Sequence, residues 1–492
     1  MPEGGRPDGE GRVGDLAIVL HSHMPYVEGF GTYPFGEEWL FDAVVRSYLP
    51  VLAFARDIAV SITPVLADQL EAPGLAGRLT DFAAEFRAGS ARRESEEAPA
   101  ELRDSALDEL GRYEASLEAL AAAEGDLLEL FAAPAREGRI ELLASAATHA
   151  VLPLIATDRA IEFQIGTGLK SHRRRFGRPS GFWLPECAYV PGLETFLARH
   201  GIEWFPIDQS VHETGDEALE PVVTRSGPVA FTLDWTAVSW VWDLAGYPSW
   251  PGYRDFHRKS MLGLNLFSID GSPYDPEAAR KRAREDAGRF LDGVAERLGA
   301  FRRERGKDGL AVFACDMELM GHWWAEGPIW LEAVLDGAAE RGIRLTTPGR
   351  ELDRPGREDV LMPASWGAGK DLRTWDSPAQ ADISAGARRV ELSVLGAIAS
   401  GLGPPASDRA AREMLAVQAS DWAFLDATGQ AGDYPFRRAV DHASAAYEAI
   451  HSAPGEEPEP TLRSLGPPRS HQFHVACEDG QSVLPPLPPE RP

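Results

Sequence analysis

The sequence predicts an α/β protein built on a parallel sheet with helices on both faces, followed by a smaller all-helical domain. Three observations carry this expectation. Short apolar runs alternate with amphipathic stretches through most of the 492 residues. A polar or charged residue stands just beyond several of those runs, which fits a barrel whose active site gathers at the C-terminal strand ends. After Trp375 the strand pattern fades and helical spacing takes over. An open doubly wound sheet would produce the same local alternation. No glycine-rich dinucleotide fingerprint or phosphate loop favours that choice.

In chain order, residues 1–14 read as a tail rich in Gly and acid, without the basic and apolar regions of a signal peptide. Leu16–Leu20 is the first expected strand and leads into His21. Ile140–Leu143, Gly181–Leu184, Trp204–Ile207 and Leu310–Ala314 are similar runs, while Phe290, Leu291, Val294 and Leu298 have helical spacing. The alternation is interrupted between about 76 and 135. From Glu94 to Leu130 the leucines suit helices and twelve acids face two bases, so a helical insertion with one solvated acidic face is expected. Residues 15–375 are thus read as the catalytic unit. Within 376–452, Ala385–Ser400, Ala410–Leu425 and Phe436–Ile450 are expected helices. Ten of the last forty residues are proline, so 453–492 is read as a disordered or extended tail.

The chain holds 76 acidic against 49 basic residues, a formal net charge of −27. Such a surface repels phosphate backbones and anionic headgroups, so neither nucleic acid nor membrane is an expected partner. No apolar run approaches the roughly eighteen residues of a membrane span. Cys187, Cys315 and Cys477 cannot form a disulfide framework. A cytoplasmic location is expected.

Chemistry concentrates at a few strand ends. His21 and His23 are spaced to share one side. They are readable as half of a metal site, as donors to a polyhydroxylated substrate, or as satisfied structural histidines. Glu186 follows an apolar run with aromatic neighbours, and Asp316 and Glu318 follow another, spaced to share a face. Burying such charge is costly unless it has a partner or a use. A carboxylate pair is the machinery of glycoside chemistry, and sugar rings pack their C–H faces on flat aromatics. Tryptophans cluster accordingly: Trp235, Trp240, Trp242 and Trp250; Trp323, Trp324 and Trp330; Trp366 and Trp375. Core positions are expected for Trp183, Trp204 and Trp330. Tyr247 and Trp250 lie in a Gly/Pro-punctuated stretch read as an exposed mobile loop. Cys187 and Cys315 adjoin the carboxylates but should face away from them into packing.

These residues resemble glycoside hydrolase family 57, and within it the 1,4-α-glucan branching enzymes. The likeness spans about Leu16 to Ile450. It rests on Val19-Leu-His-Ser-His-Met-Pro-Tyr-Val27, Glu141-Leu-Leu-Ala-Ser-Ala-Ala-Thr-His149, Trp183-Leu-Pro-Glu-Cys-Ala-Tyr189, Asp316-Met-Glu-Leu-Met-Gly-His-Trp-Trp324 and Ala364-Ser-Trp-Gly367. Gln418-Ala-Ser-Asp-Trp-Ala-Phe-Leu425 and Thr428-Gly-Gln-Ala431 resemble the subfamily's C-terminal signature.

The resemblance implies an incomplete seven-stranded (β/α) barrel with a helical insertion and a C-terminal all-helical domain. It implies a retaining transglycosylase with no metal or other cofactor, acting on an α-1,4-glucan. Glu186 matches the nucleophile and Asp316 the general acid/base. His21, His23, His149, Trp366, Asp421 and Arg258 match substrate contacts, and Tyr247 matches the tip of a mobile loop. Trp242, Trp324 and Trp375 join them as expected sugar-stacking surfaces. Tyr33, Met320, Ala325, the segment after Trp366 and the stretch between Tyr253 and Asp316 depart from the family pattern. They bear on acceptor binding and on branching against hydrolysis. The alternatives are an amylase or 4-α-glucanotransferase of the same family, a metal-dependent amidohydrolase or deacetylase built on His21 and His23, and a glucan-binding protein without catalysis.

Overall fold

A computed structural model describes residues 11–28, 31–32, 35–212 and 215–452. Tyr33, Cys477, the first ten residues and the proline-rich tail lie outside them. Nine strands are found among the described residues: β1 (Gly14–Ser22), β2 (Ile58–Ile62), β3 (Ile140–Ser145), β4 (Phe182–Trp183), β5 (Trp204–Ile207), β6 (Val222–Val223), β7 (Val229–Thr232), β8 (Leu310–Asp316) and β9 (Ile343–Thr346). Seven run parallel in the order β8-β1-β2-β3-β4-β5-β7, with a lone bridge from Gly181 to Trp204 joining β4 to β5. β9 lies along the first half of β1, and β6 pairs antiparallel with β7. The amide of Asp234, just past β7, donates to Val312 O in β8 at 2.8 Å. The sheet curls into an incomplete barrel.

β1 is buried along all nine residues, as expected of a parallel strand covered on both faces. The two-residue period divides those faces. Ala17 and Val19 join Ala59, Leu143, Trp183, Trp204, Phe231, Val312 and Ala314 in the barrel interior. Leu16, Ile18 and Leu20 pack outward with the helices. His21 continues the interior column of β1, Ser61 that of β2, Ser145 that of β3 and Asp316 that of β8. Register sets His21 opposite both Ser61 and Asp316.

The opposite end of the interior is closed by charge. Asp15 is fully buried, and Arg344 Nε donates to it at 2.8 Å, with Arg354 and Arg12 also in contact. Burial pushes this carboxyl up, but the guanidiniums outweigh it and hold it below the usual range. Glu141 accepts from Ser180 Oγ at 2.7 Å, Trp204 Nε1 at 3.0 Å and the Gly349 amide at 3.1 Å, tying three segments together.

Between β2 and β3 lie helical segments including Leu75–Asp81, Gly89–Glu97, Arg103–Ala122 and Glu129–Arg136. The expected acidic face is not wholly solvated. Arg254 meets Asp108 at 2.5 Å and Glu109 at 3.2 Å, and Arg46 meets Glu109 at 2.8 Å, all four side chains being buried. Leu107 is half exposed, because the buried row of helix Arg103–Ala122 includes Ala106, Glu109, Tyr113, Ser116 and Leu120.

The C-terminal region is helical over Ala381–Ala399, Ala406–Val417, Ser420–Thr428 and Tyr434–His451. The single helix expected over Ala410–Leu425 is two. Ala419 takes an extended conformation and bridges Ala150, and the Ser420 amide donates to His149 O at 3.2 Å. Gln418 is held at the break by Gln164 and Glu391, each at 3.0 Å. No Gly or Pro marks this interruption; tertiary contacts impose it. No helix among the described residues is long and apolar enough to cross a membrane.

Gly321 accounts for one fixed position in the motif after Asp316. Its φ is +104°, and an added Cβ would lie 2.0 Å from the Arg46 carbonyl oxygen. Gly321→Ala should therefore destabilise the fold by roughly 2–4 kcal/mol, read as a shift in the urea unfolding midpoint with unchanged slope.

Candidate active site

The interior columns end in three imidazoles. His21 Nδ1 lies 2.5 Å from Ser61 Oγ, and its Nε2 lies 2.9 Å from His149 Nε2. Its ring stacks on Trp183 at 4.4 Å between centroids. His149 Nδ1 is 2.9 Å from Ser420 Oγ. His23 Nδ1 is 2.9 Å from Thr63 Oγ1 and its Nε2 is 2.9 Å from Asp421 Oδ1. Burial drives His21 and His149 well below the ordinary histidine pKa, so both are neutral. Burial also opposes charge on His23, but the Asp421 carboxylate outweighs it and the pKa is raised. Among the described residues, no group of three or more His, Cys, Asp or Glu side chains is arranged to hold a metal ion. The imidazole nitrogens are engaged instead with Ser61, Thr63, Ser420, Asp421 and one another.

Glu186 leaves β4 on a turn whose backbone is left-handed at both Glu186 (φ 61°) and Cys187 (φ 47°), a conformation that costs of order 1–3 kcal/mol per residue. The turn swings the carboxylate towards the strand ends. Trp366 Nε1 donates to Glu186 Oε2 at 3.1 Å, and His149 Nδ1 lies 3.6 Å from Oε1. The Trp366 amide also donates to Glu186 O at 3.0 Å. Burial raises the Glu186 pKa, while hydrogen bonds from Ser420 and Trp366 limit the rise.

Asp316 ends β8 beside this group. Burial raises its pKa well above the ordinary value, and the charges of Glu318 and Glu186 push the same way. Glu318 stands near enough for its charge to act on Asp316, but strand parity does not put it there. Met317–Leu319 is a tight helical turn, so strand alternation stops at Asp316. On this turn Glu318 accepts from the Tyr48 hydroxyl and from the His23 amide.

His21, His23, His149, Glu186, Trp366 and Asp421 form one cluster, and Asp316 adjoins it beside His21 and Glu186. Other expected site residues do not. Trp324 and Trp375 are each only 2% exposed. Trp324 packs on Tyr253 and Trp330, and Trp375 sits beneath Gly367; neither offers a face to a sugar. Tyr247 is not an exposed loop tip. It is half-buried in the main core, and the exposed tip is Leu244, wholly in solvent, with Asp243 and Ala245 beside it. Arg258 lies over Phe267 and donates to Gly271 O at 3.1 Å, away from the imidazole cluster. Trp242 is 46% exposed at the end of helix Trp235–Trp242. Cys187 and Cys315 are buried, and burial pushes both thiols up, so neither is an activated nucleophile.

Sequence reasoning missed Ser61, Thr63, Ser420 and Tyr48. Ser61 lies on β2 and Thr63 just past its end, on an apolar run that was not singled out, although their spacing of two mirrors His21 and His23. Trp183 was expected to be core; it is core and also the wall on which His21 stacks.

A parallel half-barrel gathering two coupled carboxylates, hydrogen-bonding imidazoles and tryptophan at its strand ends defines a glycoside-processing class of protein. The sequence matches Glycosyl hydrolase family 57 over residues 17–362, and the chain belongs to that family. Residues 384–466 match a second family description, 1,4-alpha-glucan branching enzyme, C-terminal. A 1,4-alpha-glucan branching enzyme of Thermococcus kodakarensis is 31% identical, covering 87% of this chain and 72% of the relative. The crystal structure of a family 57-type branching enzyme from Pyrococcus horikoshii superposes with a TM-score of 0.85 at 32% identity, covering 89% of this chain and 90% of that one. The α-amylase AmyC of Thermotoga maritima superposes at 0.79 with 26% identity, covering 89% and 92%.

The His23–Asp421 pair joins the first strand to the C-terminal helices. A histidine with a raised folded pKa stabilises the fold fully below its unfolded pKa, and this contribution disappears as pH rises through the folded value. Asp421→Asn should lower the His23 pKa, seen in the imidazole proton resonances. The stability lost to the substitution should be largest below about pH 6.5 and shrink above the folded pKa, measured by urea unfolding across pH.

Proposed function

We propose that this protein is a 1,4-α-glucan branching enzyme, and that Glu186 and Asp316 are its nucleophile and general acid/base. One observation carries the branching reading: the C-terminal helices match the branching-enzyme description and also supply Ser420 and Asp421 to the strand-end cluster.

The reaction is a double displacement with retention, which places the two carboxylates about 5–5.5 Å apart in the reacting state. Asp316 gives its proton to the oxygen of an α-1,4 linkage. A Glu186 oxygen attacks the anomeric carbon, and the C–O bond breaks to release a free 4-hydroxyl. The segment remains as a glucosyl ester on Glu186. The 6-hydroxyl of a second glucan then attacks the same carbon, returns its proton to Asp316 and frees Glu186, leaving an α-1,6 branch. The raised pKa of Asp316 suits a group that must begin protonated near neutral pH. The donors from Trp366 and Ser420 favour the ionised form that Glu186 needs. Neutral His21 and His149, with His23 and Asp421, line the donor site, where sugar hydroxyls exchange with the hydrogen bonds these groups make to one another. Trp323, 40% exposed and just past the Asp316 turn, offers a sugar-stacking surface where buried Trp324 cannot.

The likeness to an α-amylase structure favours one second reading, hydrolysis without transfer. Incubation with amylose, enzymatic debranching and chain-length analysis separates the two. New α-1,6 linkages are expected; their absence alongside glucan cleavage would leave the amylase reading. Asp316→Asn should slow cleavage by about 10²- to 10⁴-fold, and Glu186→Gln should remove it. Trp366→Phe should move the acidic limb of the pH–rate profile upward, because the lost donor had stabilised the Glu186 anion.

A further inference from the structure

Glu318 takes no direct part in the displacement, yet it is more deeply buried than Glu186 or Asp316. It is 4% exposed. One of its oxygens, Oε1, accepts from both the Tyr48 hydroxyl and the His23 amide, the latter at 3.1 Å. The helical stretch 37–54 brings Tyr48 there through a π-turn, Val44–Tyr48, all five residues of which are buried. Such a turn fits an extra residue into the helix and recurs at functional sites. Here three consecutive residues grip the turn that follows Asp316. The Arg46 carbonyl abuts Gly321, Ser47 Oγ donates to Met317 O at 2.6 Å, and Tyr48 donates to Glu318.

We infer that Glu318 is a positioning residue for the proton on Asp316: fixed by Tyr48 and the His23 amide, it keeps a second carboxylate beside Asp316 so that Asp316 stays protonated while Glu186 is ionised. The inference rests on the reading of Asp316 as general acid/base. The charges that act on Asp316 are those of two carboxylates. Glu318 and Glu186 repel its charge, and the neutral Tyr48 lies on the helical side. Its strand neighbour His21 is neutral. Glu318 faces Tyr48 and His23, and His23 is itself committed to Asp421. Glu318 is pushed up to about 7 by burial, against the hydrogen bond from Tyr48 that favours its anion. Above that pH its charge adds to the repulsion that keeps the proton on Asp316.

The test is the pH dependence of amylose cleavage, followed as new reducing ends and loss of iodine stain, for the full chain and two variants. Glu318→Gln removes the neighbouring charge and should move the alkaline limb down by about one unit, a roughly tenfold slower rate above it. Tyr48→Phe weakens the Glu318 anion and should move the limb in the same direction by less. A uniform loss of rate with the limb unmoved in both variants would make Glu318 a structural turn residue and overturn the inference. The unmodified chain tests the underlying reading separately, since failure to cleave amylose at any pH would remove that reading and the inference with it.

Discussion

The barrel interior holds carboxylates at both ends, and the structure depends on treating them oppositely. At the strand starts, Asp15 is buried among guanidiniums, which hold it ionised and close the barrel. At the strand ends, burial raises the Asp316 pKa, and the charges of Glu318 and Glu186 push the same way. Both arise from one rule, the inward column of a parallel strand, repeated at its two ends. A buried carboxyl without a cation is destabilising, so the fold spends stability at the end where the proposed acid/base stands.

That cost is met by elements far apart in sequence. The π-turn ending at Tyr48, the left-handed turn at Glu186 and the helix break at Gln418 and Ala419 all deviate from regular geometry, and all point a side chain into the same cluster. Local irregularity at a functional centre needs surrounding structure to enforce it. Here the enforcing contacts are specific: Ser47 on Met317 O, the Trp366 amide on Glu186 O, and Gln164 with Glu391 on Gln418.

Much of the centre was legible because strand parity is a local property. His21 and Asp316 stand at the ends of apolar runs, and a two-residue period places them inside without further information. Glu318 shows where that logic stops: alternation ends with the strand, and the turn at Met317–Leu319, not parity, sets the next carboxylate near Asp316. The tryptophans show a second limit. Trp323 and Trp324 are adjacent and chemically identical, yet one is 40% exposed and the other 2%. Which ring meets a sugar is set by helices packed from elsewhere in the chain.

The excess negative charge followed the same division. The sequence located its largest concentration on the insertion, but not that Asp108 and Glu109 turn inward to Arg254 and Arg46. By itself, the sequence determined the alternating parallel architecture, the interior residues at strand ends, the aromatic richness and the family likeness, because each is written in short-range spacing or motif. Only the tertiary structure decided that Ser420 joins Asp421 at the centre, that Tyr48 and the His23 amide clamp Glu318, and which tryptophans are reachable. Those outcomes depend on contacts across up to nearly four hundred residues, as between His23 and Asp421, and no local pattern encodes them.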